Sequence, residues 1–460
     1  MNRVGTRYPK YRDTGYDWLL PIPAHWEIRR SRFVFRETDQ RSADGHETHL
    51  SMTQSHGLIP SRDLDRRRLH SASYTGGKLV RAGDLVLNRL KAHLGVFAGA
   101  RQPGTVSPDY SVFRSLIDRP VEYYEKLFKT TMYVGELRRS TRGIVEGFWR
   151  LYTDDFYNIP ALLPPREEQD QIVAYLRAQD AQIARFIRDK RRLIEVLNEQ
   201  KQTLIQRAVT LGLDPKARLK PSGIEWLGEV PEHWFARRLK FVADNVTEQT
   251  DSQRNDEIYL ALEHVESWTG KMSPPQGAAT FSSTVKRFKK NDVLFGKLRP
   301  YLAKVVRPQV SGICVSEFFV LRIKDAEVLP AYLELLLRTK KVIEIVNSST
   351  AGAKMPRADW AAVGNLRLAF PPKTEQLRVL SAIAEETISL DVASEQAKGE
   401  ITLMQKYRDR LVADVVTGQL DVRGWVPGPD DVIGKTAALL DDADETMGEQ
   451  GAEDDDDGHE

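Results

Sequence analysis

The chain repeats part of its own sequence after about 200 residues, and this repeat limits its possible folds more than any other feature. The segment Gly15–Phe33 (GYDWLLPIPAHWEIRRSRF) recurs as Gly223–Phe241 (GIEWLGEVPEHWFARRLKF), with nine identical positions at a constant offset of 208. The same offset places Gly83–Val96 opposite Asn291–Lys304. A period of this length is typical of duplicated domains and not of a solenoid of short repeats. The sequence therefore predicts two equivalent units.

Each unit divides at a Pro-Pro pair into a strand-rich part and a long helical part. Short apolar alternations such as Asp84–Leu90 and Asp292–Leu298, punctuated by glycine and proline, indicate a compact domain of strands with some helix. The segments Leu163–Gln169 and Phe370–Gln376 match at an offset of 207, and each opens a run of more than 40 residues without proline. Acidic residues just after such a pair are typical of a helix N-terminus.

Both proline-free runs carry a heptad-like seam of mostly apolar residues. In the first run the seam positions are Ile172, Leu176, Gln179, Ile183, Phe186, Lys190, Leu193, Leu197, Gln200, Leu204, Arg207 and Leu211. In the second they are Leu380, Ile383, Thr387, Leu390, Ser394, Ala397, Ile401, Met404, Arg408, Leu411 and Val415. A sustained 3.5-residue period favours pairing between helices. Because the first helix leads to the second globular part and the second helix starts there, paired helices must be antiparallel. The prediction is an α+β chain shaped like a dumbbell, with approximate two-fold symmetry.

Charge is distributed unevenly along the chain. From Asp430 onward there are 13 acidic residues and one lysine, so the preceding residues carry a net +14 against a whole-chain charge of +2. An excess of this size suggests a polyanionic partner, although a merely solvated basic surface remains open. Cys314 is the only cysteine and no apolar stretch is long enough for a membrane helix, so we expect a cytoplasmic protein without disulfides.

The repeated motifs resemble those of the specificity subunits of Type I restriction–modification enzymes. They are the opening W-L-x-x-x-P-x-H-W of each half, the strand motif D-x-L/V-x-x-x-L-K/R, and the P-P-x-x-E-Q element. The helix ends Leu204–Thr210 and Leu411–Gly418 are similar to the ends of the family's spacer helices. The resemblance covers about residues 8–422.

The resemblance implies a division of the chain and a set of partners. Residues 1–163 and 214–370 would be target-recognition domains, 164–213 and 371–422 spacer helices, and 423–460 an acidic disordered tail. Such subunits bind a bipartite, asymmetric site on double-stranded DNA and recruit two methyltransferase subunits, and motor-nuclease subunits can join them. No cofactor is expected on this chain; S-adenosylmethionine, ATP and magnesium would belong to the partner subunits. The tail is expected to be a solubilising extension, with competition against DNA as the alternative.

The sequence shows no signature of catalysis. The methyltransferase motif Asn/Asp-Pro-Pro followed by an aromatic residue is absent, and the nine histidines form no metal-binding spacing. Gly434-Lys435-Thr436 lacks the glycine that begins a phosphate loop. A non-catalytic subunit is therefore favoured over two alternatives, an autonomous DNA-binding regulator with the same scaffold and a chain that itself cleaves DNA.

Candidate DNA contacts are the basic and polar residues of the two strand-rich parts. Dense basic runs suit phosphate contacts, with a solvated face as the alternative, and strand-exit residues suit base contacts, with phosphate or core-edge roles as alternatives. Trp18, Trp26, Trp226 and Trp234 are expected to pack in the scaffold. The candidates are Gln54, His56, Arg62, Arg66, Arg67, Arg89, Lys91 and His93 in the first half, and His264, Lys286, Arg287, Lys289, Lys297, Arg299 and Tyr301 in the second.

Overall fold

The computed structural model describes residues 5–53, 57–63, 75–143, 149–275, 284–350, 355–428 and 431. The first unit of the fold contains residues up to Arg192 together with residues from Ala397 onward, and the second unit contains Leu193–Gln396. Each unit holds one strand-rich part, here called the first head (residues 5–163) and the second head (residues 219–370). The division falls inside the two long helices, so each unit also holds one end of each helix.

Short strands dominate the first head. They are β1 (Tyr11–Arg12), β2 (Ile22–Pro23), β3 (Glu27–Arg30), β4 (Phe35–Thr38), β5 (Leu50–Thr53), β6 (Gly57–Pro60), β7 (Lys78–Val80), β8 (Leu85–Asn88), β9 (Phe97–Gly99), β10 (Gly104–Val106), β11 (Tyr110–Ser115) and β12 (Pro160–Leu163). The helices are α1 (Val121–Phe128), α2 (Thr131–Ser140) and α3 (Thr153–Asn158), followed by the long helix α4 (Arg166–Leu211).

The second head has a closely related set of elements. Its strands are β13 (Leu219–Pro221), β14 (Glu229–Pro231), β15 (Phe235–Arg238), β16 (Ala243–Val246), β17 (Gln249–Thr250), β18 (Ile258–Leu260), β19 (Val285–Phe288), β20 (Val293–Gly296), β21 (Val305–Val306), β22 (Gly312–Cys314), β23 (Phe318–Ile323) and β24 (Arg367–Phe370). Its helices are α5 (Leu239–Val242), α6 (Pro330–Leu337), α7 (Lys340–Ser348) and α8 (Trp360–Val363), followed by the long helix α9 (Lys373–Val416).

The central sheets of the two heads match strand for strand. The first has the order β4-β11-β8-β9 and the second β16-β23-β20-β21, and the described pairs in both are antiparallel. Register is also shared, since Phe113 lies opposite Leu85 and Leu321 opposite Val293. A matching ion pair joins the same two strands, Arg114 with Asp84 at 3.1 Å and Arg322 with Asp292 at 2.7 Å. The duplication predicted from the sequence is therefore a duplication of structure.

Both long helices complete the hydrophobic core of each head. In the first unit, Ile172 and Leu176 of α4 and Val415 of α9 are buried with the sheet and with Tyr123 of α1. The Tyr123 hydroxyl donates to the Val416 carbonyl at 3.0 Å. In the second unit, Tyr332 of α6 makes the equivalent bond to the Val209 carbonyl of α4, also at 3.0 Å. Each head therefore packs on the start of one long helix and the end of the other.

Ion pairs between the long helices define their direction. In the first unit, Arg408 Nε lies 2.9 Å from Asp180, and Lys190 pairs with Glu400. As residue numbers increase along α4, the numbers of their partners on α9 decrease, so the two helices are antiparallel. In the second unit, Lys201 Nζ lies 2.6 Å from Asp391. The predicted α+β class and antiparallel helix pairing are confirmed.

The predicted seam is followed along the whole of α9 but only along the first half of α4. Each seam position of α9 from Leu380 to Val415 is buried or half-buried. On α4 the seam holds from Ile172 to Lys190, but Leu193 is 41% exposed and Leu211 is 42% exposed. Beyond Leu193 the fully buried residues are Ile205, Ala208 and Val209, although Leu197 and Leu204 of the seam stay half-buried. This part of α4 packs in the core of the second head, and that core sets which of its residues are buried.

The repeated tryptophans pack as scaffold residues. Trp26 is 1% exposed and Trp234 is 2% exposed, whereas Trp18 and Trp226 are half-buried against the cores of their heads. Packing also extends past the predicted start of the tail, since Trp425 contacts Tyr175 edge-to-face at 5.5 Å. Residues 429–430 and 432–460 lie outside the described residues. None of the described helices is both long and apolar enough to cross a membrane.

Candidate nucleic-acid interface

A turn leaves the same central strand in each head and exposes polar side chains. The first exit turn (Arg89–Gly95) follows β8, and Asn88 caps it by accepting hydrogen bonds from the backbone N–H groups of Leu90 and Lys91. The second exit turn (Lys297–Ala303) follows β20. Gly95 has φ +70° and Ala303, at the same place in the repeat, has φ +48°. Both turns therefore end in the left-handed conformation, which is easy for glycine and costly for alanine.

Backbone hydrogen bonds hold both exit turns against a later segment of the head. The Leu151 N–H donates to the Arg89 carbonyl at 3.1 Å, and the Ala358 N–H donates to the Lys297 carbonyl at 2.8 Å. In the second head the Arg299 N–H also donates to the Pro356 carbonyl at 2.8 Å. These bonds fix the directions in which the side chains leave the turn.

One carboxylate beside each exit turn forms an ion pair with a nearby arginine. In the first head Asp109 lies 3.9 Å from Arg89 and 3.6 Å from Arg150, and its carbonyl accepts from Arg89 Nε at 2.7 Å. In the second head Glu317 forms a 3.0 Å ion pair with Arg357. Arg89 was predicted as a base contact, but its guanidinium is already engaged within the protein.

Different side chains stand at matching positions of the two turns. Lys91 and Arg299 are exposed at offset 208, and Tyr301 is 44% exposed. His93 holds the place of Tyr301 in the first head, but its ring packs edge-to-face on Trp149 at 5.4 Å. The turns share a backbone design and present different chemistry.

The basic run of the second head is divided between the interior and the surface. Lys286 is 9% exposed and donates to the Phe318 carbonyl at 2.8 Å, and burial, with the nearby positive charge of Lys297, lowers its pKa. Arg287 Nε lies 2.7 Å from Glu257. The geometry therefore does not support phosphate contacts for Lys286 and Arg287, because both side chains already bond to groups within the fold. Lys289 and Lys290, just past the strand, are exposed.

The remaining predicted contacts are scattered or lie outside the described residues. Arg62 is exposed and lies 3.6 Å from Asp63. His264 Nδ1 accepts a hydrogen bond from the Ala261 N–H at 3.0 Å, so this ring closes a local turn. Gln54, His56, Arg66 and Arg67 lie outside the described residues.

Sequence reasoning did not find the cluster that attaches each head to its own long helix. We call these clusters the first joint (Tyr8, His25, Trp26 and Glu168) and the second joint (His233, Trp234 and Glu375). Glu168 lies 2.8 Å from His25 Nε2 and accepts from Trp26 Nε1 at 3.0 Å. Glu375 lies 2.6 Å from His233 Nε2 and accepts from Trp234 Nε1 at 3.2 Å. The signal was present, because both motifs that meet here recur in each half.

Neither joint has the layout of a metal centre. Across the described residues no group of three or more His, Cys, Asp or Glu side chains could hold a metal ion. Burial, the hydrogen bond to Glu168 and the charge of Glu168 raise the pKa of Tyr8, which keeps this phenol a hydrogen-bond donor. The joints are structural attachments.

Comparisons with known proteins agree with this architecture. No family model matches the chain. The specificity subunit of the Type I restriction enzyme EcoDI from Escherichia coli is 21% identical over 302 residues, 62% of this chain and 67% of that protein. The specificity subunit of the Type I restriction enzyme MjaVIII from Methanocaldococcus jannaschii is 24% identical over 286 residues, 58% of this chain and 64% of that protein. The chain is similar in sequence to the Type I specificity subunits.

A solved structure shows the same fold. A chain from a study of complex assembly and conformational transition of the type I R-M system has a TM-score of 0.55 at 16% identity, covering 86% of this chain and 98% of that chain. The two specificity-subunit alignments span about two thirds of the relatives' own length. Relationship to specificity subunits agrees with the prediction of a non-catalytic chain.

Proposed function

We propose that this chain is the DNA-binding specificity subunit of a Type I restriction–modification enzyme. It recognises a bipartite, asymmetric site on double-stranded DNA and directs methyltransferase and restriction subunits to that site. The observation that carries this proposal is the pair of exit turns, which share one backbone design and expose different side chains. Two matched scaffolds with different contact residues suit a target with two different halves.

DNA binding is divided between positioning contacts and sequence contacts. Lys289, Lys290 and Arg62 are exposed cations suited to phosphate oxygens, which position a protein on the duplex without specifying sequence. Lys91 in the first head, with Arg299 and Tyr301 in the second, can reach base edges from rigid turns. The backbone of each turn is held by hydrogen bonds before DNA arrives, so little backbone entropy is lost on binding.

The chemistry of the complex belongs to its partners. Two methyltransferase subunits bring S-adenosylmethionine, and motor-nuclease subunits bring ATP and magnesium. The spacer regions (residues 164–213 and 371–422) join target-recognition domains at residues 1–163 and 214–370, and the acidic tail that follows serves as a solubilising extension in the cytoplasm.

The test is genome-wide adenine and cytosine methylation in the host, with and without this gene. We expect one gapped motif to lose methylation on deletion and to regain it when the gene is restored. An unchanged methylation pattern in a host that expresses the protein would contradict the proposal and favour an autonomous DNA-binding regulator. Incubation of the purified chain with magnesium and DNA controls for cleavage by the chain itself.

A further inference from the structure

We propose that Arg299 recognises a guanine in the half-site bound by the second head, and that Lys91 occupies the corresponding base-contacting position in the first head. This inference rests on the proposed function and assigns specificity to one position of its site. It starts from the backbone of the second exit turn, which holds Arg299 in an unusual conformation.

Arg299 has φ +50° and ψ +61°, a left-handed conformation that costs about 1–2 kcal/mol for a residue with a Cβ atom. Three features keep it there. Its N–H donates to the Pro356 carbonyl, the preceding residue Leu298 bridges to Arg357, and Pro300 disfavours a return to the right-handed helical region. Strain of this kind persists where the surroundings determine one geometry, as they do at binding sites.

The charge of Arg299 is available for a ligand. Glu317, the carboxylate beside the turn, is engaged with Arg357 at 3.0 Å. Within the described parts of the chain, the ion pairs do not include Arg299, and its side chain is exposed. In the first head, by contrast, Arg89 is tied to Asp109 while Lys91 is exposed. Each turn therefore keeps one exposed cation at the same position of the repeat.

The identity of the cation decides what it can recognise. A guanidinium donates two parallel hydrogen bonds to guanine O6 and N7, the commonest specific protein–base contact. An ammonium is a point donor with weaker geometric demands. Arg299 and Lys91 at equivalent positions therefore contact a base with different geometric selectivity, the arginine through two parallel hydrogen bonds and the lysine through a single charged donor. Tyr301, two residues on, is 44% exposed and can pack beside the contacted base.

The experiment compares variants of the full chain assembled with its methyltransferase subunits. Methylation rates are measured on the target duplex and on duplexes carrying each substitution in either half-site. For Arg299→Ala we expect about 10- to 100-fold loss of discrimination at one G·C pair of one half-site, with the other half-site unchanged. Arg299→Lys should lose discrimination at the same pair by a smaller factor, because an ammonium cannot form the two parallel hydrogen bonds. Lys91→Ala is expected to affect a base pair in the opposite half-site.

Lys290→Ala is the matched control, because this exposed lysine belongs to the same head and is assigned to phosphate. It should weaken binding to all duplexes alike and reduce the salt dependence by about one phosphate contact. If Arg299→Lys retains full discrimination, or if Arg299→Ala behaves like the control, the assignment is overturned. Thermal unfolding checks that the variants fold. If Arg299→Ala does not fold, the discrimination measured for Arg299→Lys tests the assignment. If the wild-type complex methylates no gapped motif, the proposed function is overturned as well. If the wild-type complex methylates a gapped motif and the Arg299 variants discriminate as the wild type does, only this inference is overturned.

Discussion

Glu168 and Glu375 hold equivalent places in the first turns of α4 and α9, but they bind different numbers of partners. Glu168 also accepts a 2.6 Å hydrogen bond from the Tyr8 hydroxyl, and its side chain is 5% exposed. Within the described second joint, Glu375 has two partners, the histidine and the tryptophan, and its side chain is 20% exposed. Position 216, where the repeat would place the counterpart of Tyr8, is a lysine. The first joint is the more heavily bonded of the two.

Replacing these glutamates should therefore have unequal effects on stability. We expect Glu168→Gln to lower the free energy of unfolding of its unit by about 1–3 kcal/mol, because a buried charged acceptor loses strength toward three donors. Glu375→Gln should cost about 1 kcal/mol or less, since it has fewer partners and more contact with water. Urea denaturation followed by tryptophan fluorescence measures both. An equal or larger loss in Glu375→Gln would refute the account of the first joint.

The residue types and their repetition were predictable from the sequence, but the directions in which the side chains point were not. The recurring histidine–tryptophan pair and the recurring glutamate were visible, yet only the fold brings His25 and Glu168 together across 143 positions. The basic run beginning at Lys286 looked uniform in the sequence. Strand β19 turns Lys286 into the core and leaves Lys289 and Lys290 outside, a result that depends on which face of the strand is covered.

The long helices show how far a periodic pattern can be extrapolated. Sequence periodicity predicted both helices and the whole buried seam of α9, and chain order predicted that the helices are antiparallel. On α4 the pattern weakens after Lys190, because the end of this helix packs in the core of the second head through Ile205, Ala208 and Val209. Ile205 is consequently 4% exposed and Leu211 is 42% exposed, although only Leu211 was a predicted seam position.

Two alanine variants on α4 distinguish the observed seam from the predicted one. Ile205→Ala should lower the free energy of unfolding of the second unit by about 2–4 kcal/mol, since it opens a cavity in the core. Leu211→Ala should cost less than about 1 kcal/mol, because its side chain is already largely in water. Chemical denaturation of both proteins provides the comparison. The reverse order would restore the strict heptad assignment.

At the scale of the whole molecule, the core of the first unit depends on residues from both ends of the described chain. Leu411, Val415, Val416 and Val422 are buried with the first head. Backbone bonds also join the two ends, since the Gly5 N–H donates to the Asp421 carbonyl at 3.2 Å and the Asp421 N–H donates to the Thr6 carbonyl at 2.8 Å. The core of the second unit draws on residues from Ile205 to Ile383.

A truncation after Arg410 should therefore damage the first unit and spare the second. Loss of four buried apolar side chains removes about 5 kcal/mol or more from the first unit. Hydrogen exchange should show the amides of the first head exchanging faster, with those of residues 205–383 unchanged. Truncation after Gly428 is the control and should leave both patterns intact. Equal loss of protection in both units would contradict this division.

The same dependence sets a timetable for synthesis on the ribosome. The second head has every segment of its core once Ile383 has emerged, whereas the first head, although made earlier, lacks part of its core until Val422 follows. Until then, part of the apolar surface of the first head stays exposed to solvent during translation, a state that favours chaperone binding. The part of the protein that is made first is thus the last to be finished.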